Sequence, residues 1–215
     1  MLLERAHPDV ALPLVLHYLA TDVPASTRVL VIVFVGDLVN KGPKSLEVVL
    51  FVRDSDSLCV RGNHEDAALS AYYNWVHGGR VPGTAKYPYV ELLEIDDVKF
   101  LEQLPFSLSL PYHNNVIVVH AGVVPEVEIK DQRPFDLYKI RLVQREKAGD
   151  EVSKWKALEK EKFKTSAGLQ QESFATGLDT GCCYGRKLTA CVIPSNNFMQ
   201  IHAKKQYEVP SGDKD

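Results

Sequence analysis

Val31-Ile-Val-Phe-Val-Gly-Asp-Leu-Val-Asn-Lys-Gly-Pro43 is the stretch on which the reading of this chain turns. Val31 to Val35 is a run of β-branched and aromatic residues, apolar throughout, and it predicts a strand over 29–35 buried on both faces. The strand delivers one carboxylate, Asp37, to its end, and Gly36, Gly42 and Pro43 then turn the chain. Leu46, Val49 and Leu50 recur at helical spacing after Pro43, which fits a first helical turn. Buried strand, acid, tight turn and helix, in that order, suit a site for a metal or a phosphate. The alternative is a core strand followed by an ordinary surface Asp.

Working outward, the same unit recurs. Ser57 to Arg61 predicts a second short strand that ends at Gly62-Asn-His-Glu65, and a helix follows from Asp66 to Trp75, closed by Gly78-Gly79. Asp97 is placed as the N-cap of a helix ending at Leu104-Pro105. Phe106 to Leu110 and Asn115 to Val119 predict two strands, the second ending at His120-Ala-Gly122. In open α/β sheets ligands collect at the carboxyl ends of strands, and these strand ends carry a carboxylate, an amide and an imidazole. From Asp136 to about Lys164 the charged pattern, with Val152, Trp155 and Leu158 on a thin apolar face, predicts a solvated helix. Residues 176–185 form a glycine-punctuated turn, and Leu188 to Ile193 with Phe198 to Ala203 predict a hairpin. The expected organisation is an N-terminal helix and linker over 1–28, one domain over 29–209 and a disordered tail over 210–215.

Composition narrows the function. At 215 residues the chain is long enough for one domain with a full core, and its 45% hydrophobic and 25% charged content is that of a soluble globular protein. A net charge of -3 argues against nucleic acid as a nonspecific partner; a small phosphorylated substrate needs local positive charge instead. No apolar run approaches the roughly 18–20 residues that span a bilayer. Met1 to Val10 carries charges where a signal peptide has its apolar core. Cys59, Cys182, Cys183 and Cys191 fit neither a disulfide framework nor a zinc knuckle and read as reduced thiols, so the expected location is cytoplasmic.

Asp37, Asn63 and His120 make a mixed oxygen and nitrogen donor set that suits borderline divalent ions such as Mn, Fe or Zn. His64, next to Asn63, is better placed as a proton donor. Arg61 and Lys41 lie beside these residues and would hold phosphate oxygens, Arg bidentately and Lys as a point charge. Asp179 reads as a turn-capping group, Cys182 and Cys183 as small apolar residues near the core, and His17, His77, His113 and His202 as surface residues.

Gly36-Asp-Leu-Val-Asn-Lys-Gly-Pro43, Arg61-Gly-Asn-His-Glu65 and His120-Ala-Gly122, in that order and at these separations, resemble the calcineurin-like metallophosphoesterases. Together with the Thr176–Ala190 stretch, TGLDTGCCYGRKLTA, they are similar to the ApaH-like branch, which includes bacterial diadenosine tetraphosphatases. The resemblance implies a β-sandwich flanked by helices and a metal-dependent hydrolase of phosphoanhydride or phosphoester bonds. Its substrate would be a bis-nucleoside polyphosphate, a cap-like nucleotide, polyphosphate or phosphoprotein, with no specific DNA binding and no membrane. It makes Asp37 the carboxylate bridging two metals, Asn63 and His120 ligands of the second metal, and His64 the general acid. Lys41 stands where relatives carry a phosphate-gripping Arg, and the resemblance implies Arg141 as a further phosphate contact. Asn40 stands where the protein-phosphatase branch pairs an Asp with the catalytic His, which favours the nucleotide-type branch over a Ser/Thr protein phosphatase.

The sequence also departs from the family. It has no GDxHG motif, whose Asp and His hold the first metal, and His7 and Asp9 do not fit that spacing. It lacks the Gly-His that supplies the last ligand of the second metal; the chain runs from Trp155 through Lys164-Thr-Ser-Ala-Gly-Leu-Gln170 without a histidine. The expectation is one weakly bound ion in place of two and a sheet without its first strand, leaving a gap or an open edge beside 29–35. The competing function is a truncated or noncatalytic form that binds a nucleotide or a partner.

Overall fold

The computed structural model describes residues 2–3, 31–78, 87–145, 155–158, 170–171 and 175–209. In chain order the elements that position the site are β1 (Leu2–Leu3), β2 (Val33–Phe34), α1 (Ser45–Asp54), β3 (Leu58–Cys59), α2 (Asn63–Val76), α3 (Ile95–Gln103), β4 (Ser107–Leu110), β5 (Val116–Val119) and α4 (Pro134–Lys139). There follow β6 (Leu142–Arg145), β7 (Trp155–Leu158), β8 (Gln170–Gln171), β9 (Thr176–Gly177), β10 (Lys187–Val192) and β11 (Asn197–His202).

The main sheet has the order β11-β10-β1-β2-β3. β2 runs parallel to β3, with Val33 opposite Leu58, as connection through the helix α1 requires. Its residues alternate between faces. Ile32 and Phe34 join the cluster of Val48, Val49 and Val52 from α1, Ala68 and Leu69 from α2, and Val98 and Leu101 from α3. Val33 packs the other way, with Val60, against Val118, Leu108 and Val116 of the β4–β5 hairpin. A sheet covered by helices on one face and by a hairpin on the other is the layered α/β arrangement expected from the sequence. Burial of Phe34, 1% exposed, contributes about 1.5–3 kcal/mol.

Three expectations are corrected. The place beside β2 is filled: Leu2–Leu3 pairs parallel with Val33–Phe34 on one side and antiparallel with β10 on the other, so no gap or open edge stands there. The charged helix predicted over 136–164 stops at Lys139; Ile140 is extended, and Leu142–Arg145 pairs antiparallel with Trp155–Leu158. Two short segments that satisfy each other's backbone groups outweigh a thin helical stripe with little to pack against. Asp97 is the third residue of α3 and not its N-cap: the helix starts at Ile95, and Asp97 Oδ2 accepts from the Glu94 N–H at 2.9 Å. The predicted N-terminal helix and linker beyond β1, with His7, Asp9 and His17, and the tail from 210 lie outside the described residues. No helix among the described residues is long and apolar enough to cross a membrane.

Candidate active site

Asp37 follows β2 on left-handed backbone, φ 57°, immediately after Gly36 at φ 86°. Asn40 and Lys41 are left-handed as well, at 68° and 59°. Such conformations cost of order 1–2 kcal/mol per non-glycine residue, so something must hold this loop. Glu65 does. Its carboxylate accepts from the Asp37 N–H at 2.9 Å, the Leu38 N–H at 2.6 Å and the Gly62 N–H at 2.7 Å. Glu65 is wholly buried, and burial, with the Asp37 carboxylate beside it, pushes its carboxyl above the usual range.

The second unit delivers its groups without strain at the ligand itself. Gly62 is extended, α2 begins at Asn63, and Asn63 and His64 occupy the first helical turn. The backbone N–H of His64 donates to Asp37 Oδ1 at 3.1 Å, which places the carboxylate at the positive end of the helix. Gly62 is required by proximity: a Cβ there would meet the Asp37 carboxylate, with Asp37 N at 2.6 Å and Glu65 Oε2 at 2.8 Å.

His120 arrives from the end of β5. Its Nδ1–H donates to the Val35 carbonyl at 2.7 Å, which fixes the tautomer and leaves the Nε2 lone pair facing inward. Nε2 lies 3.3 Å from Asp37 Oδ1 and 3.3 Å from Asn63 Oδ1. An imidazole lone pair facing both a carboxylate oxygen and an amide oxygen forms an environment for a cation. Their separation also matches the edge of a tetrahedron whose bonds are about 2.0–2.1 Å long. These three groups fit a divalent ion. Among the described residues no group of three or more His, Cys, Asp and Glu side chains gathers for a metal, so Asn63 is needed to complete the set.

His64 sits on the open side of the cluster, Nε2 at 3.7 Å from Asp37 Oδ2, and lines an open cleft. Lys41 and Lys44 line the same cleft, with Cys182, Cys183 and Tyr207. Arg61 is not among the residues lining this cleft; its guanidinium stacks 4.9 Å from the Phe106 ring centre and donates to the Glu102 carbonyl. Arg141 is exposed just past α4. Asn40 Oδ1 accepts from the Tyr89 hydroxyl at 2.7 Å; burial pushes that phenol far above its usual pKa, so it remains a donor. Asp179 caps its turn by accepting from the Gly181 N–H at 3.1 Å, and His77, His113 and His202 are exposed, as expected. Cys182 is buried, whereas Cys183 is half-buried on the cleft.

Glu65 was the functional residue that sequence reasoning left without a role. The signal was present in the spacing of Gly62 and Glu65, which is that of a helix-start residue and the acid that caps it.

The family pattern described as calcineurin-like phosphoesterase matches residues 11–191. The chain belongs to the calcineurin-like phosphoesterase family. Within it, the symmetrical bis(5'-nucleosyl)-tetraphosphatase of Coxiella burnetii (strain RSA 331 / Henzerling II) is 37% identical over 101 residues, 46% of this chain and 34% of that protein. This phosphoesterase chain therefore spans about a third of the length of that relative. The asymmetrical bis(5'-nucleosyl)-tetraphosphatase PrpE of Oceanobacillus iheyensis is 27% identical over 209 residues, 82% of this chain and 79% of that protein. A crystal structure of a candidate diadenosine tetraphosphatase superposes with a TM-score of 0.75 at 24% identity, covering 94% of this chain and 92% of the other, which shows a shared fold.

Proposed function

We propose that this chain is a metal-dependent hydrolase of phosphoanhydride or phosphoester bonds, with bis-nucleoside polyphosphates as the substrate class suggested by its relatives. The observation that carries this reading is the approach of His120 Nε2 to within 3.3 Å of both Asp37 Oδ1 and Asn63 Oδ1, beside a histidine that opens onto a cleft. A divalent ion held by those three groups would supply Lewis acidity toward a phosphoryl oxygen and acidify water. The chain's own residues supply the rest. His120 is held as a ligand by the Val35 carbonyl. Glu65 fixes the Asp37 loop, and Lys41 neutralises phosphate charge at the cleft. The His64 ring protonates the departing oxygen. Arg61 and Arg141 take part in this reading as outer phosphate contacts, Arg61 after releasing the Glu102 carbonyl.

The test is turnover with Mn²⁺ across a panel of dinucleoside tetraphosphate, cap-like dinucleotide, inorganic polyphosphate and phosphopeptide. Hydrolysis of the dinucleotide well above a His64→Ala control is the expected result. Equal rates for the two proteins on every substrate would sink the hydrolase reading and leave a binding role. Calorimetric titration of the same 215-residue chain with Mn²⁺ should show one weak site, as the donor count predicts.

A further inference from the structure

One contact outside the ligand cluster joins the Asp37 loop to the far turn of the chain. Lys41 Nζ donates to the Tyr184 hydroxyl at 3.2 Å and lies 5.3 Å from the centre of its ring. Lys41 sits on left-handed backbone, φ 59°, and Tyr184 closes a short 3-10 turn between Gly181 and Gly185, both left-handed at 73° and 81°. That turn is anchored from both sides. Thr180 Oγ1 donates to the Lys187 carbonyl at 2.7 Å, and the N–H groups of Tyr207 and Glu208 donate to the Cys183 carbonyl at 3.0 Å each. Tyr184 is therefore carried on a fixed element, whereas the group it meets is mobile by chemistry.

A lysine ammonium is a compact charge on a flexible four-carbon stem, and fixing it on a ligand costs rotamer entropy. A phenol oxygen that already holds it removes part of that cost before a ligand arrives. The ammonium has three N–H donors, so donation to Tyr184 leaves others for phosphate oxygens. We propose that Tyr184 is a positioning residue for Lys41, holding its ammonium at the cleft that His64 lines so that it meets the substrate phosphate preorganised. This rests on Lys41 gripping phosphate, part of the function proposed above.

The experiment measures KM for a dinucleoside tetraphosphate with Mn²⁺, and separately the affinity for inorganic phosphate by titration, in a double-mutant cycle. Tyr184→Phe removes the hydroxyl and keeps the ring; Tyr184→Ala removes both. Tyr184→Phe should weaken phosphate binding and raise KM about three- to tenfold, and Tyr184→Ala more. In a Lys41→Ala background Tyr184→Phe should add nothing, and in Lys41→Arg its effect should shrink, because the planar guanidinium is stiffer. Equal losses with and without Lys41, or no loss in either, overturn the proposal. Thermal melting monitors folding, and if Tyr184→Ala fails to fold, Tyr184→Phe alone closes the cycle. A chain that binds phosphate in this pattern yet hydrolyses nothing refutes the hydrolase reading and keeps this one; a chain that hydrolyses with an unchanged phosphate affinity in Tyr184→Phe does the reverse.

Discussion

The unit β2–loop–α1 and the unit β3–loop–α2 lie side by side in the sheet, both a short parallel strand followed by a helix, yet they present their functional groups by opposite means. The first leaves its strand through left-handed backbone at Gly36, Asp37, Asn40 and Lys41 before α1 begins at Ser45. The second leaves Cys59 and enters α2 at Asn63, so that Asn63 and His64 ride on the first turn of a regular helix. The strained loop is not self-supporting. Its N–H groups at Asp37 and Leu38 are satisfied by Glu65, which belongs to the other unit. The second unit is thus both a source of ligands and the scaffold of the first, and damage to it should be felt at Asp37.

The largest effect should come from His64, which separates chemistry from scaffolding. His64→Ala should lower kcat by about 10²–10⁴-fold while calorimetry finds Mn²⁺ affinity nearly unchanged, since the ring donates no ligand in this reading. A parallel loss of metal would place His64 among the ligands. Glu65→Gln should break the support itself. An amide NH₂ turned toward backbone N–H donors costs about 3 kcal/mol in denaturant-measured stability and should weaken Mn²⁺ binding about 10–100-fold, although Glu65 touches no ion. If metal affinity survives while stability falls, the two units are independent and the comparison fails. Gly62→Ala tests the same junction by crowding, because the added Cβ lies 2.8 Å from Glu65 Oε2. A loss of about 1–3 kcal/mol in chemical unfolding is expected, and a stable variant would show that the loop yields easily.

The smallest effect is a matter of thiol access. Cys59 at the end of β3 is buried, and burial together with the nearby Glu65 carboxylate pushes its thiol well above the usual pKa. Cys182 and Cys191 are buried too, whereas Cys183, which lines the cleft beside Cys182, is half-buried. Native protein should therefore react rapidly with an aromatic disulfide reagent at Cys183 alone, forming one mixed disulfide and releasing one equivalent of aryl thiolate. Gly62→Ala should add slow labelling of Cys59 if the second unit loosens, with peptide mapping to assign the site.

Much of this was legible in sequence because it is local. The apolar run before Asp37, the helical spacing after Pro43 and the hairpin about residues 193–196 depend on residues within one or two turns of each other, whereas the helix expected from Asp66 begins at Asn63 and takes Asn63, His64 and Glu65 into its first turn. The charged stretch after Asp136 misled for the same reason: Val152, Trp155 and Leu158 suit a helix locally, and only the pairing of β6 with β7 decides otherwise. Nor does composition reveal that Leu2–Leu3 fills the space between β2 and β10, since a two-residue strand carries no period to read.

The sequence by itself determined the family, the order of strand ends and the identity of the groups that meet there, because those are properties of residue types in short windows. Tertiary structure alone decided that His120 comes within 3.3 Å of both Asp37 and Asn63, that Val35 sets the His120 tautomer, that Glu65 holds a strained loop from another unit, and that Lys41 rests on Tyr184. Each of these is a contact between residues far apart in the chain, closed by the burial of apolar faces and not by any local preference.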